Sequence, residues 1–104
     1  MDLNDFQKQA LKSVAITQKG VPALAHRMLG LSGEAGILAN QIKKMIRDKN
    51  GQPDASDLEV AKKRLGDALY YIAVLAEYFD LTLLEVATQN LEQSAEFAKN
   101  RSKV

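Results

Sequence analysis

Apolar residues recur every three or four positions along most of the chain, which is the spacing of amphipathic α-helices. A short row near the N-terminus predicts a first helix from about Asn4 to Gln18, with an inner face of Leu3, Phe6, Ala10 and Val14. Lys19-Gly20 breaks this pattern, and Pro22 suits the first turn of a second helix that runs to about Asp48. The apolar row of that helix alternates steps of four and three: Leu24, Met28, Leu31, Ala35, Leu38, Ile42 and Met45.

The second half of the chain predicts two more helices. Residues 49–55 contain Asn-Gly and Gln-Pro-Asp and predict a loop. Ser56 with Glu59 has the spacing of a capping box for helix 3, and Thr82 with Glu85 has the same spacing for helix 4. Helix 3 carries two rows, one of Leu65, Leu69, Ile72, Ala76 and Phe79 and the other of Arg64, Asp67, Tyr71, Val74 and Tyr78.

Helix 3 is apolar almost all round in its second half, so it should be covered on more than one side. In a chain of 104 residues, a second subunit is the expected source of that cover. We therefore expect a single all-α domain over residues 1–104, a four-helix bundle-like unit whose core is completed by dimerisation. The pattern leaves a tetramer open as an alternative to a homodimer.

Composition narrows the class of partner. The net charge is +1 with 26% charged residues and no basic run, which argues against nucleic acid as a partner. No window approaches ~18 consecutive apolar residues, so no membrane partner is expected. There is no cysteine and no N-terminal signal-peptide pattern. A cytoplasmic location is the resulting expectation.

A second row runs beside the apolar row of helix 2 and contains polar groups. Its members are Arg27, Gly30, Glu34, Ile37, Gln41 and Lys44. Residues three or four apart share a helix face, so residues 34 and 37 point to one place, as do residues 64 and 67 on helix 3. Two such pairs on facing helices of a bundle can gather four side chains around a cation.

The segments GEAGILANQIKK (33–44), RLGDALYYIAVLA (64–76) and TLLEVATQNLEQ (82–93) resemble the MazG-type nucleoside triphosphate pyrophosphohydrolases. The resemblance implies the MazG-type all-α fold and a magnesium site of four carboxylates at positions 34, 37, 64 and 67. It also implies attack by a metal-activated water on a nucleoside triphosphate, giving the monophosphate and pyrophosphate. Tyr71 matches an aromatic residue near the nucleobase, and Asn90 matches an asparagine of the fourth helix.

This sequence departs from that pattern at two of the four metal positions. Glu34 and Asp67 remain as residual metal ligands, but Ile37 and Arg64 replace the other two glutamates. An isoleucine cannot bind a metal, and a guanidinium offers only donors and a fixed positive charge. No catalytic set is intact, and we expect no cofactor, with magnesium needed only for residual activity. Arg64 should instead pair with Asp67 or with Glu34.

The principal hypothesis is a non-catalytic MazG-like scaffold whose emptied metal site has become an apolar pocket. Bundle interiors and subunit interfaces are common places for such pockets. A rigid apolar ligand such as a sterol would suit it better than a nucleotide, and the clustering of changes also fits engineering of a natural enzyme. The expected pocket residues are Arg27, Gly30, Glu34, Ile37, Leu38, Gln41, Arg64, Asp67, Tyr71, Val74 and Asn90.

Two alternatives stay open. One is a weak magnesium-dependent pyrophosphohydrolase that holds metal with Glu34 and Asp67 and phosphate with Arg64. The other is a structural subunit that assembles with a catalytically complete partner. Magnesium-dependent release of pyrophosphate from nucleoside triphosphates separates the enzyme from both non-catalytic hypotheses.

Overall fold

The computed structural model describes residues 1–14 and 19–102, and within them every regular element is an α-helix. The four helices are α1 (Leu3–Lys12), α2 (Gly20–Lys49), α3 (Ala55–Tyr78) and α4 (Leu83–Ser102). The predicted all-α architecture with four main helices is confirmed. In the described part of the chain, no helix is both long and apolar enough to cross a membrane.

Helix α1 ends earlier than the apolar spacing predicted. Lys12 is its last residue, and the Ser13 hydroxyl donates a hydrogen bond to the carbonyl of Ala10 (2.9 Å), which closes the final turn. The prediction of a helix through residues 13 and 14 is therefore wrong, and its last four residues, 15–18, lie outside the described residues. The predicted inner face is correct, because Ala10 is buried and Leu3, Phe6 and Val14 pack against the same core.

The connection between α2 and α3 is the predicted Asn-Gly loop. Asn50 and Gly51 both adopt positive φ angles, 55° and 79°, and the Gly51 N–H donates to the carbonyl of Met45 at 3.1 Å. This left-handed termination is the usual way for a helix to satisfy its last carbonyls. It turns the chain back so that α2 and α3 form the most extensive helix pair of the molecule.

The N-terminus of α3 is capped by different residues from those predicted. Asp54 is the N-cap, its carboxylate accepts from the Asp57 N–H at 3.0 Å, and the Asp57 carboxylate accepts from the Asp54 N–H at 3.0 Å. The Ser56–Glu59 box is therefore wrong, because Asp54 holds the extended backbone of an N-cap and Ser56 already lies inside the helix. The Thr82–Glu85 box of α4 is present, with reciprocal bonds of 2.6 and 3.1 Å.

The side of α2 that faces α3 combines members of the polar row with part of the predicted apolar row. Ala23 and Arg27 are buried there and Glu34 and Gln41 are half-buried. The apolar row is divided: Met28 and Ile42 are 49% and 43% exposed, whereas its other members except Ala35 are half-buried, namely Leu24, Leu31, Leu38 and Met45. The apolar row of α2 therefore lies at the edge of the α2–α3 contact.

The core of a single chain is small and lies between α1, the second half of α3 and the start of α4. Its buried members are Ala10, Ala73, Val74 and Leu83. In the described part of the chain, α4 packs against α1 and α3 but not against α2, and every residue from Thr88 to Arg101 is exposed. The chain thus leaves large parts of α2, α3 and α4 without intramolecular cover.

Candidate functional site

Glu34, Arg64 and Asp67 form a charged cluster between α2 and α3. Arg64 Nη1 lies 3.1 Å from Glu34 Oε2, to which it donates a hydrogen bond, and 3.8 Å from Asp67 Oδ2. Lys63 Nζ lies 3.4 Å from the same Asp67 oxygen. The ion pair that the sequence predicts for Arg64 is therefore made with both acids, and the closer contact joins the two helices.

The helix geometry explains why these groups meet. Glu34 lies on the row of α2 that faces α3, and Arg64 and Asp67 are three residues apart on one face of α3. The Glu34 side chain is only 15% exposed and that of Arg64 27%, so the pair is partly withdrawn from water. An acid in this position requires a cation or hydrogen-bond donors, and Arg64 supplies both.

The donor set of this cluster does not fit the four-carboxylate magnesium site that the family resemblance implies. Among the residues that the structure describes, no group of three or more histidine, cysteine or acidic side chains is placed to hold a metal ion. The two acids that lie together already contact two cationic side chains, Arg64 and Lys63. Magnesium prefers oxygen ligands, so a cation at this place would first have to displace Arg64.

A cavity of about 210 Å³ lies one to two helical turns from the ion pair, at the end of α1 and between α2 and α3. Three of the predicted pocket residues line it, namely Arg27, Tyr71 and Val74, together with Ser13, Val14, His26 and Tyr70. Its wall is mixed, with aromatic and aliphatic surface beside a guanidinium, an imidazole and two phenol groups.

Arg27 is the buried charge of this cavity. Its Nη1 donates to the carbonyl of Val74 at 2.6 Å and to Glu77 Oε2 at 2.9 Å, and its side chain is 10% exposed. A buried guanidinium is stable only when it is paired in this way. The contact anchors the N-terminal half of α2 to the C-terminal half of α3 and fixes one wall of the cavity.

Tyr71 lines the same cavity and explains the glycine at position 30. A Cβ atom added at Gly30 would overlap the Tyr71 ring, so only glycine allows the ring to lie against the α2 backbone. The ring also contacts Tyr70 edge-on, with centroids 5.2 Å apart, and approaches His26 at 6.3 Å. These T-shaped contacts are favourable and orient the aromatic wall.

Four of the predicted pocket residues belong neither to the lining of the cavity nor to the charged cluster of Arg64. Ile37 is 44% exposed and Leu38 is half-buried, and neither lines the cavity. Asn90 is exposed on α4, which does not pack on α2 in the described part of the chain. Gln41 donates its amide to Asp57 Oδ1 at 2.6 Å, at the end of α2 that is remote from the cavity.

Asp57 is the centre of a second polar cluster, next to the α2–α3 loop. It is 2% exposed and accepts from Gln41, from the Asp54 N–H and from Lys49 Nζ at 2.7 Å. The ammonium of Lys49 is the main cause that lowers the pKa of the Asp57 carboxyl, and the bond from Asp54 adds to it. The cluster closes the hairpin and is structural.

Sequence reasoning missed part of the cavity lining and one buried amide. Four lining residues, Ser13, Val14, His26 and Tyr70, were not among the expected pocket residues. Gln7 is buried in α1 and bonds to α3 and to the start of α4. Gln7 lies within the 3, 7, 10, 14 row of α1, and a polar side chain in that otherwise apolar row was the available signal.

Comparison with known proteins adds one natural relative. The chain is 37% identical over 73 residues to the Gene 37 protein of Mycobacterium phage L5, a match that covers 70% of this chain and 64% of the phage protein. The chain thus spans less than two thirds of that relative. No protein-family model matches the chain, and no solved structure matches it.

Proposed function

We propose that this chain is a MazG-like helical scaffold in which an arginine takes the place of the catalytic metal, and that it binds a small molecule without turning it over. The observation that carries the proposal is the contact of Arg64 with both Glu34 and Asp67. In the family that the sequence resembles, these two acids belong to the metal site. Here a permanent cation joined to the chain occupies the space between them.

The charges of the cluster support a non-catalytic site. Two carboxylates face Arg64 and Lys63, so the side chains are balanced without a metal. A divalent cation brought within about 4–5 Å of the guanidinium would be repelled by several kcal/mol at intermediate dielectric. Ile37, one helical turn after Glu34, has no side-chain oxygen that could bind the cation and offset this repulsion.

The cavity beside Tyr71 is the proposed binding place for the small molecule. Its volume of about 210 Å³ lies below the ~300–1,000 Å³ typical of ligand pockets, so within one chain it suits a compact, partly aromatic molecule. A sterol would require additional volume, which a second subunit would have to supply. Arg27, Tyr71 and Val74 are the residues proposed to contact the ligand, and a cytoplasmic location remains part of the proposal.

Dimerisation is part of the same proposal. The single chain buries a small core and leaves α4 exposed beyond its first turns, so a homodimer would complete the fold, with a tetramer as the larger alternative.

A weak magnesium-dependent pyrophosphohydrolase is the second candidate. It is favoured by the closeness of the two acids, since Glu34 and Asp67 both lie within 3.8 Å of one nitrogen atom. If substrate phosphates attracted Arg64, both carboxylates would be released together. In the reaction of this candidate, water and a nucleoside triphosphate give the nucleoside monophosphate and pyrophosphate.

The test is pyrophosphate release from several nucleoside triphosphates across a magnesium titration, with the natural chain and the double variant Ile37→Glu/Arg64→Glu. We expect no magnesium-dependent release by the natural chain and a gain of release by the double variant, because the helices already hold Glu34 and Asp67 together. Each single change should recover much less, since three ligands leave the site incomplete.

Efficient release by the natural chain would overturn the non-catalytic proposal. A folded, dimeric double variant without activity would show that the two replacements are not what separates this chain from a working enzyme. Binding of small aromatic molecules tests the cavity separately. It is followed by the tyrosine fluorescence of the chain, with Tyr71→Phe and Val74→Leu as comparison variants. Val74→Leu should fill the cavity and weaken binding.

A further inference from the structure

We infer that one apolar face of the α2–α3 hairpin binds the same face of a second copy of this chain. This hairpin face consists of Met28, Ala35 and Ile42 on α2 and Leu58, Leu65 and Ile72 on α3. All six are exposed in the single chain, and Leu58 and Leu65 are each 58% exposed. The inference rests on the proposal above that a second subunit completes the core, and it identifies the surface.

The six residues lie on the same side of the hairpin. Glu34 and Gln41 contact Arg64 and Asp57 of α3, and each is followed directly by a residue of the hairpin face. The same holds on α3, where Leu58, Leu65 and Ile72 follow Asp57, Arg64 and Tyr71. Each step of one residue rotates the side-chain direction by about 100° around the helix axis. Because α2 and α3 are right-handed and antiparallel, the residues that follow the contact residues point to the same side of the hairpin on both helices.

The spacing of the face is that of packed helices. Both rows repeat every seven residues, 28, 35 and 42 on α2 and 58, 65 and 72 on α3. A seven-residue apolar repeat keeps one seam directed at a neighbouring helix over several turns. Within this chain no helix covers the seam, because α1 and α4 pack on α3 and not on α2 in the described residues.

The size of the uncovered surface indicates a stable partner. The chain exposes 7687 Å², whereas a folded monomer of 11.4 kDa is expected to expose about 5,800 Å². Its radius of gyration is 16.8 Å, against about 13 Å for a compact domain of this length. An excess of roughly 1,900 Å² per chain, to which the exposed second half of α4 also contributes, would be sufficient for a permanent interface.

A second copy fits the face better than a partner of another kind. The face contains no charged side chain, so it offers no electrostatic feature by which a different protein would be selected. A second copy would bring two helices with the same seven-residue repeat and the same length. The four helices together would form a left-handed bundle with a continuous apolar interior.

Sedimentation equilibrium with two neighbouring variants tests the inference. Met28→Glu places a carboxylate on the hairpin face, whereas Leu29→Glu places one on the next residue, which is 70% exposed and faces away from α3. We expect the natural chain and Leu29→Glu to be dimers at micromolar concentration. Met28→Glu should raise the dimer dissociation constant roughly 100-fold or more, because its two symmetry-related carboxylates would be desolvated without a partner.

Disulfide trapping provides a readout that does not depend on destabilisation. The chain has no cysteine, so a single introduced one is the only thiol. Ala35 and Leu65 form the middle layer, where a twofold axis would bring each residue towards its own copy. Oxidation should link Ala35→Cys or Leu65→Cys into covalent dimers. Asn40→Cys, at an exposed residue on the side of α2 away from the hairpin face, should remain unlinked.

The outcomes separate the inference from the proposed function. A monomeric natural chain would overturn both the inferred contact through the hairpin face and the proposed second subunit. The proposal that Arg64 replaces the metal would still be tested separately by the magnesium titration. A dimer that resists Met28→Glu and gives no covalent link at residues 35 or 65 would overturn the hairpin face alone. An assembly that responds only to Leu29→Glu would contradict the inference in the same way.

Discussion

The ring of Tyr71 rests directly on the backbone of α2 at Gly30, so closely that a single added methyl group would overlap it. This contact lies midway between the ion pair of Arg64 and the buried guanidinium of Arg27. It sets the spacing of α2 and α3 where the cavity is formed. The glycine is therefore required by packing, although its backbone is ordinary helix.

Gly30→Ala should destabilise the fold and alter the cavity. Overpacking costs about 1–3 kcal/mol, and the gain from replacing a helical glycine offsets only about 0.5–1 kcal/mol of it. Gly36→Ala is the matched control, because nothing lies within 4 Å of its added methyl group and only the helix-forming gain remains. Urea denaturation measures both, and equal stabilisation by the two variants would contradict the packing role of Gly30.

Gln7 joins three helices through one amide group. Its Nε2 donates to the carbonyls of Ala73 and Leu81, each at 3.0 Å, and its Oε1 accepts from the Leu83 N–H at 3.0 Å. The last bond satisfies a buried N–H at the first turn of α4. Gln7 therefore fixes where α4 starts relative to α1 and α3.

Gln7→Ala should lower the free energy of unfolding by about 1–3 kcal/mol, because it leaves buried backbone groups without partners. The exposed Gln9 of the same helix provides the control, and Gln9→Ala should change stability by less than ~0.5 kcal/mol. Hydrogen exchange adds a local readout, in which the amide of Leu83 should lose protection in Gln7→Ala only. Unchanged protection at Leu83 would exclude the bridging role.

The Asp57 cluster predicts how stability depends on pH. The pKa of Asp57 is lowered in the fold, chiefly by Lys49, so its contribution is fully present above the ordinary carboxyl pKa of about 3.9. That contribution is lost as the pH falls through the lowered folded value. The natural chain should therefore become progressively less stable below about pH 4.

Asp57→Asn isolates this effect. The variant should be less stable than the natural chain at pH 7. It should lose less stability between pH 7 and acid, because one of the two carboxyl groups of the cluster with a lowered pKa has been removed and only Asp54 remains. Glu59→Gln, at an exposed residue of the same turn, should retain the natural pH dependence. Thermal unfolding at a series of pH values compares the three, and a natural pH slope in Asp57→Asn would refute the assignment.

Local sequence patterns predicted the helices but not every detail of their ends. The Thr82–Glu85 box was predictable because Thr82 is followed three residues later by an acid, whereas the nearby Asp80 is followed there by a leucine. At α3, Asp54 and Ser56 are both good caps, and each is followed three residues later by an acid. Which one caps the helix depends on how the loop leaves Asn50, and this is not encoded in the spacing alone.

The orientation of α2 could not be predicted from its apolar row. That row indicated Met28 and Ile42 as inner residues, but the polar partners of Arg27, Glu34 and Gln41 all lie on α3 and draw the neighbouring row inward. These partners lie between 16 and 50 residues away in sequence, so no local rule reveals them. The pairing of Arg64 was predictable because one of its two acids is three residues away on the same helix.

The central claim is that Arg64 holds the place of a metal between Glu34 and Asp67, and magnesium titration by calorimetry tests it most directly. The natural chain without nucleotide should show no binding heat at millimolar magnesium, and Ile37→Glu/Arg64→Glu should bind, because four carboxylates would then surround the position. The magnesium affinity of Arg64→Gln should lie between those of the other two proteins, since this variant removes the positive charge but adds no carboxylate. Tight magnesium binding by the natural chain would contradict the claim.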